Sequence, residues 1–358
     1  MKSQLIAEIR DDGPIPFDRY MDACLYDPDG GFFSAGPLRS ARTGDFVTSP
    51  EVSPWFGTLL GRWAQSASVA LGQRGERGGL PLLIEVGAGS GSLLAPLIAE
   101  AGGVFGGVYV AELSSAARSG MSERHPTVDV VASLDEIPTG VDAVLVANEL
   151  LDNMPVALAR RTDDGWLEIG VGVEGGDLTL IEMPVREEVS AWCDDVMGDV
   201  PVGTVVTAQL AVASWISSVF DRFGRVSICL IDYGARTEEL AGRDVGSLIR
   251  SYRRHQSGID WLQHPGETDI TVDVNIDGVA RAIALAGHQV RVMSQAEFLV
   301  EQGIHELIES VRGDEQLFAR EGKIMGQLKA RSQRIEMEAL VDPAGFGTFT
   351  VLLVEEGT

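Results

Sequence analysis

The segment Leu82–Leu93, LLIEVGAGSGSL, runs an apolar strand into three alternating glycines and then into an apolar stretch. Glycine accepts left-handed backbone and lets a ligand come close to the main chain. This order therefore predicts a β-turn-α unit that holds an adenosine-bearing cofactor near a helix start. More apolar runs of strand character follow at GVYVAEL, TVDVVAS, VDAVLVANE and RVSICLIDYG, with helical segments at Ser92–Glu100, Ser114–Glu123 and Gly203–Phe220. Strands that alternate with helices in this way specify an α/β fold with a doubly wound, mostly parallel, Rossmann-like sheet.

Four regions are expected. Residues 1–78 form an N-terminal helical segment, with one helix over Ile15–Tyr26 and a long one that starts at Thr48 or Ser49, where Pro50 and Glu51 suit a first turn. The polar connector Gly72–Gly79 leads into a cofactor-binding core over 79–233, interrupted by a β-hairpin excursion near 156–185. Residues 234–285 have no clean period and read as an inserted substrate lobe. Residues 286–358 supply the last helices and strands, the strands at GHQVRVMSQ and GFGTFTVLLVEE. Trp55, Trp63 and Trp215 fall on apolar helical faces and are expected in the core.

The formal net charge of −25 repels phosphate backbones, so no nucleic-acid partner is expected. No apolar run reaches the roughly 20 residues that cross a bilayer, so no membrane partner is expected either. The acid-rich N-terminus fits neither a secretory signal nor an Arg-rich transit peptide, and Cys24, Cys193 and Cys229 form no disulfide framework. Together these point to a reducing, cytoplasmic setting. His125, His264, His288 and His305 lack zinc-type spacing, so no metal site is expected.

Two cofactors compete for the glycine loop. A dinucleotide fingerprint is G-x-G-x-x-G, whereas Gly87, Gly89 and Gly91 give G-x-G-x-G. Glu85 stands two residues before the first glycine, where a pyrophosphate would meet a carboxylate at high electrostatic cost. S-adenosyl-L-methionine (SAM) has no phosphate, and its ammonium suits Glu85. Glu112 ends the next strand and is placed to accept both ribose hydroxyls. At the third strand end, Ser133 and Leu134 offer an adenine clamp, with a capping turn as the equal alternative. The fourth strand ends in NELLDNMP, which puts Asn148, Glu149 and Asp152 beside the transferable methyl. Two carboxylates there match a guanidinium; helix capping is the competing role, above all for Asp152.

With those residues in place the chain resembles the MidA-like family of class I methyltransferases, which includes an arginine methyltransferase of mitochondrial complex I assembly. GDFVTSPEVSPWFGTLLGRW, EVGAGSGSL, NELLDNMPV, IDYG and SYRRHQSGIDWLQHPGETDIT carry the resemblance. It implies SAM as cofactor and a protein that presents arginine as substrate. It also implies a lid in which Thr48, Ser49 and Glu51 reach the site, against a plain helix start, and a substrate lobe bearing Tyr252 and His255. Asp273, Asn275 and Ile276 depart from the family's T-A-H-V-D-F, which leaves the acceptor open. A small-molecule methyltransferase and a non-catalytic SAM-binding assembly factor are the other readings, since fold does not fix substrate.

Overall fold

The computed structural model describes residues 1–34, 48–73, 79–253 and 256–355. Its central sheet is built from β1 (Leu82–Val86), β2 (Gly107–Ala111), β3 (Asp129–Val131) and β4 (Ala143–Asn148). The chain then leaves that sheet for β5 (Ala157–Thr162), β6 (Gly165–Glu174), β7 (Asp177–Pro184) and β8 (Val205–Ala208). It returns with β9 (Val226–Asp232), crosses a small lobe through β10 (Ile249–Arg253) and β11 (Asp269–Val272), and closes with β12 (Arg291–Ser294) and β13 (Thr350–Val354).

The seven-stranded order is β12-β13-β9-β4-β1-β2-β3. All neighbours are parallel except β13, which runs antiparallel to both β9 and β12. The order reverses between β1 and β4, so their carboxyl ends open a crevice between them. Successive side chains of β4 enter opposite layers. Val144 and Val146 pack with helix Pro54–Gln73 and the C-terminal helices, while Leu145 and Ala147 pack with helices Leu210–Arg222 and Ile276–Leu285. Two covered faces explain why these strands read as continuous apolar runs.

The excursion is larger than a hairpin. Strands β5 to β8 form a second sheet with Ile15–Pro16, whose Ile15 pairs with Val171. Helix Phe17–Tyr26 packs Phe17, Tyr20 and Leu25 against that sheet and against Ile270 and Val272 of β11. The expected helix over Ile15–Tyr26 therefore begins two residues late, because Ile15 and Pro16 are drawn into strand pairing. The expected long helix breaks at Ser53, which is extended at φ −153 and ψ 134, giving Ser49–Val52 and Pro54–Gln73. Proline disfavours helical backbone in the residue before it. The Gly203–Phe220 segment is likewise divided: β8 comes first, and the helix spans Leu210–Arg222. Pairing of β8 with β5 overrides the helical reading there.

Candidate active site

A cavity of about 650 Å³ opens over the carboxyl ends of β1, β2, β3 and β4. Glu85 and the following glycine turn form its floor. Gly87, Gly89 and Gly91 have φ of 71°, 51° and 71°, a left-handed backbone that favours glycine. A Cβ on Gly87 would lie 2.9 Å from Cδ1 of Leu150, so this turn is tight even against the protein itself. Gly87 and Gly89 line the cavity. Gly91 does not: its N–H donates to the carbonyl of Ala88 at 2.8 Å, and it only turns the chain toward helix Leu94–Ala101. Gly91 is therefore withdrawn from the expected cofactor contacts.

Two acids face this end. Glu85 is 3% exposed, and burial together with the nearby Glu112 pushes its carboxyl up to about 8. Its Oε2 has no hydrogen-bond partner among the described residues. A buried, unpartnered carboxyl oxygen is costly unless a ligand satisfies it, and a cationic ammonium fits. Glu112 accepts N–H donors from Gly89 at 2.9 Å and Ser114 at 2.7 Å, which ties the loop to the tip of β2. A carboxylate offers about four lone-pair positions, so acceptor capacity remains for hydroxyls. Ser133 and Leu134 line the cavity and also open a short turn, where Ser133 accepts the N–H of Asp135. The capping turn is thus observed, and the same two residues stand at the cavity wall. Trp215, expected in the core, is only half-buried and lines the cavity. Periodicity placed it on an apolar face but could not show that this face ends at a ligand cleft.

Thr48, Glu51 and Ser90 form the wall opposite. Thr48 and Glu51 make a capping box, and Ser90 Oγ donates to Glu51 Oε1 at 3.3 Å. The helix start is thus observed, and Thr48 and Glu51 also line the cavity. Ser49 is fully buried and its Oγ donates to Gln295 Oε1 at 3.2 Å, so its side chain does not line the cavity. This corrects the expectation that it contacts the cofactor.

The far end belongs to Asn148, Glu149 and Asp152. Glu149 has φ of 50°, the one positive φ at a non-glycine among the described residues. Its N–H donates to the carbonyl of Ile231 at 2.8 Å, which locks the strained residue at the tip of β4. Desolvation, the Asp152 charge and Glu51 push its carboxyl up to about 8 against the Asn148 amide, which donates to Glu149 Oε1 at 3.1 Å. Asp152 is 3% exposed. Burial pushes it up to about 6 although the Tyr233 hydroxyl donates to its Oδ2. Oδ1 of Asn148 and Oδ1 of Asp152 have no hydrogen-bond partner among the described residues.

Sequence reading missed the frame behind these groups. Asp232, at the end of β9, is fully buried, and its Oδ2 accepts the N–H of Leu151 at 2.8 Å and of Asp152 at 3.3 Å. Its own carboxyl is raised well above the usual range by burial and by Asp152 and Glu149. Tyr26, Tyr233, Arg250, Thr271 and Phe349 complete the cavity wall with Tyr252. The IDYG run was the available signal, since it carries Asp232 and Tyr233 at a strand end. His255 lies outside the described residues. Asp273 and Asn275 do not line the cavity: Asn275 caps helix Ile276–Leu285 through the N–H of Gly278, and Asp273 binds Arg243 and Arg250.

The sequence and the architecture match known proteins. The family described as a putative S-adenosyl-L-methionine-dependent methyltransferase matches residues 59–294, and this chain belongs to it. SAM is its cofactor, and the fold is the α/β methyltransferase fold foreseen from the alternating strands. Among solved structures, a protein from Burkholderia thailandensis bound to S-adenosyl-homocysteine superimposes with a TM-score of 0.83 at 29% identity, covering 99% of this chain and 91% of that one. The protein arginine methyltransferase NDUFAF7 of Xenopus tropicalis mitochondria is 26% identical over 337 residues, which is 84% of this chain and 75% of that one. Its Caenorhabditis elegans homologue, also named mitochondrial, is 25% identical over 383 residues, covering 92% and 84%. These relatives overturn the cytoplasmic expectation: proteins built on the same sequence pattern are mitochondrial by name, so cysteine usage and an acidic N-terminus do not assign a compartment.

Proposed function

We propose that this SAM-dependent methyltransferase transfers the methyl group to an arginine side chain of a protein substrate. The observation that carries the reading is the pair Glu149 and Asp152 at the tip of β4, two recessed carboxyls with nothing cationic hydrogen-bonded to them among the described residues. A guanidinium presents parallel N–H donors that fit such acids, and its charge would draw both into the ionised form. The naming of the frog and nematode relatives as protein arginine methyltransferases supports the same acceptor.

The lining residues support the following roles. Bound SAM supplies an electrophilic methyl group. Glu85 would hold the ammonium of the cofactor and Glu112 its ribose, and Gly87 and Gly89 would allow the close backbone approach. Glu149, aimed by its left-handed backbone and steadied by Asn148, holds the guanidinium and localises electron density on one nitrogen. Asp152 holds the other edge through Oδ1, because Tyr233 occupies Oδ2. Transfer would form the N–C bond as the sulfur–carbon bond breaks, and a carboxylate of this pair would take the nitrogen's surplus proton. Positioning and charge placement carry most of the rate.

The test is incubation with labelled SAM and a protein extract, followed by mass spectrometry of the labelled residue. Wild type should place label on protein arginine. Glu149→Gln keeps shape and loses charge, so transfer should fall roughly 10²-fold while SAM affinity stays within a few-fold. Label on a small molecule, a lysine or a carboxylate, or full activity of Glu149→Gln, rejects the reading.

A further inference from the structure

We infer that Arg250 reads a carboxylate beside the target arginine, so that the preferred acceptor is an arginine next to an acidic side chain or at a free C-terminus. This rests on the arginine reading above and narrows it. Among the described residues that line the cavity, Arg250 is the one cation, and the other charged residues of the wall are all acids. It lies on β10, opposite Thr271 of β11, and both side chains face the acceptor end.

The guanidinium is held from behind. Its Nη2 lies 2.7 Å from Oδ1 of Asp273, which is 2% exposed. Asp273 is itself fixed by Arg243. The Arg250 guanidinium also stacks over the Tyr233 ring at 5.0 Å from its centroid. A guanidinium has five N–H donors, and this side chain remains 41% exposed. The side chain is thus braced by the Asp273 charge and the Tyr233 ring while it stands at the cavity wall.

Neutralising Asp152 does not explain the placement. A cation placed for that purpose would bond to Asp152, yet the Tyr233 hydroxyl takes that position and Asp273 holds Arg250 by another edge. The Asp152 carboxyl stays raised despite the Arg250 charge. A fixed cation close to a guanidinium site also repels the proposed substrate. That repulsion turns into selectivity when the substrate brings its own anion, because an Arg–carboxylate contact is charge-assisted and directional.

The experiment uses full-length protein, SAM and peptides that each contain one arginine. The arginine is flanked by Asp or Glu, by Asn or Gln, or by Lys, or it is C-terminal as free acid or as amide. Wild type should favour acid-flanked over amide-flanked peptides by roughly tenfold in kcat/KM, mainly through KM. A preference for the free C-terminus over its amide, without one for internal acids, identifies the terminal carboxylate as the source. Arg250→Gln should erase the preference, Arg250→Lys should retain part of it, and Arg250→Glu should turn it toward Lys-flanked peptides. SAM affinity should stay within about threefold in all three, which also reports folding. Arginine methylation with no acid preference, or a preference that survives Arg250→Gln, overturns the inference and leaves the proposed function standing. Labelling of other acceptors but of no arginine peptide overturns both.

Discussion

The cofactor end and the acceptor end of the one cavity are built in opposite ways. Glu85, the glycine turn and Glu112 lie within a single β-α-β unit, and the backbone N–H groups of Gly89 and Ser114 tie the turn and the tip of β2 to Glu112. The acceptor end gathers Tyr26, Asp152, Tyr233, Arg250 and Phe349 from segments that are distant in sequence. Strand order alone positions the first. The second exists only when helix Phe17–Tyr26, the second sheet and β10–β11 dock on the central sheet. Damage at the cofactor end should therefore appear as lost SAM affinity, and damage at the acceptor end as lost turnover.

The sharpest way to break this contrast is Gly89→Val. Its φ of 51° strains any β-branched residue, and the new side chain would stand at the cavity floor. SAM affinity should fall by roughly 10²-fold or more with the fold retained by circular dichroism. Unchanged calorimetric affinity in the folded variant would place the cofactor elsewhere.

Glu85→Gln should weaken SAM binding by roughly tenfold, since one charge-assisted contact is lost. The pH dependence gives the stricter test. The folded carboxyl is held up to about 8 against an ordinary 4.5, so the folded state carries a proton that the unfolded chain has given up across that interval. Stability should therefore fall as pH rises from about 4.5 to 8, and Glu149, raised by a similar amount, adds to the trend. An ammonium favours the ionised acid, so SAM binding below pH 8 should release a proton and tighten as pH rises. Glu85→Gln should flatten both trends and melt higher than wild type at pH 8 without ligand. Melting curves across pH, and calorimetry in buffers of different ionisation heat, read the two effects.

At the other end, Tyr233→Phe removes the hydroxyl that donates to Asp152. That donor lowers the Asp152 carboxyl, so its loss should raise it and move the acidic limb of the kcat profile to higher pH. At neutral pH kcat should drop several-fold, about 1 kcal/mol of barrier, with SAM affinity unchanged. A loss confined to SAM affinity would erase the distinction between the two ends. The smallest effect is expected for Ser49→Ala. Its buried hydroxyl serves Gln295, so the variant should lose about 1 kcal/mol of stability and none of its SAM affinity.

What could be read from residues alone follows the same division. Strand runs, the glycine turn and the acids at strand ends are encoded over short distances, and all of Glu85, Gly87, Gly89, Glu112 and Glu149 line the cavity. Ser49 and Gly91 carry the right residue types but are turned inward by packing and by a local turn. Trp215 and Arg250 gave no local sign of facing the cavity, because an apolar helix face and a basic strand residue look the same in solvent or at a wall. The Asp273 and Asn275 departures, which left the acceptor open on sequence, fall behind that wall: Asn275 caps a helix and Asp273 braces Arg250.

The left-handed backbone of Glu149 sets a limit on engineering. At φ of 50° glycine would be the more comfortable residue, and it would also remove a poorly solvated acid from beside Asp152. A selection that rewards thermal robustness alone should drift toward Glu149→Gly and discard the acceptor site while improving the scaffold. Any programme to harden this enzyme must therefore screen for turnover at every round.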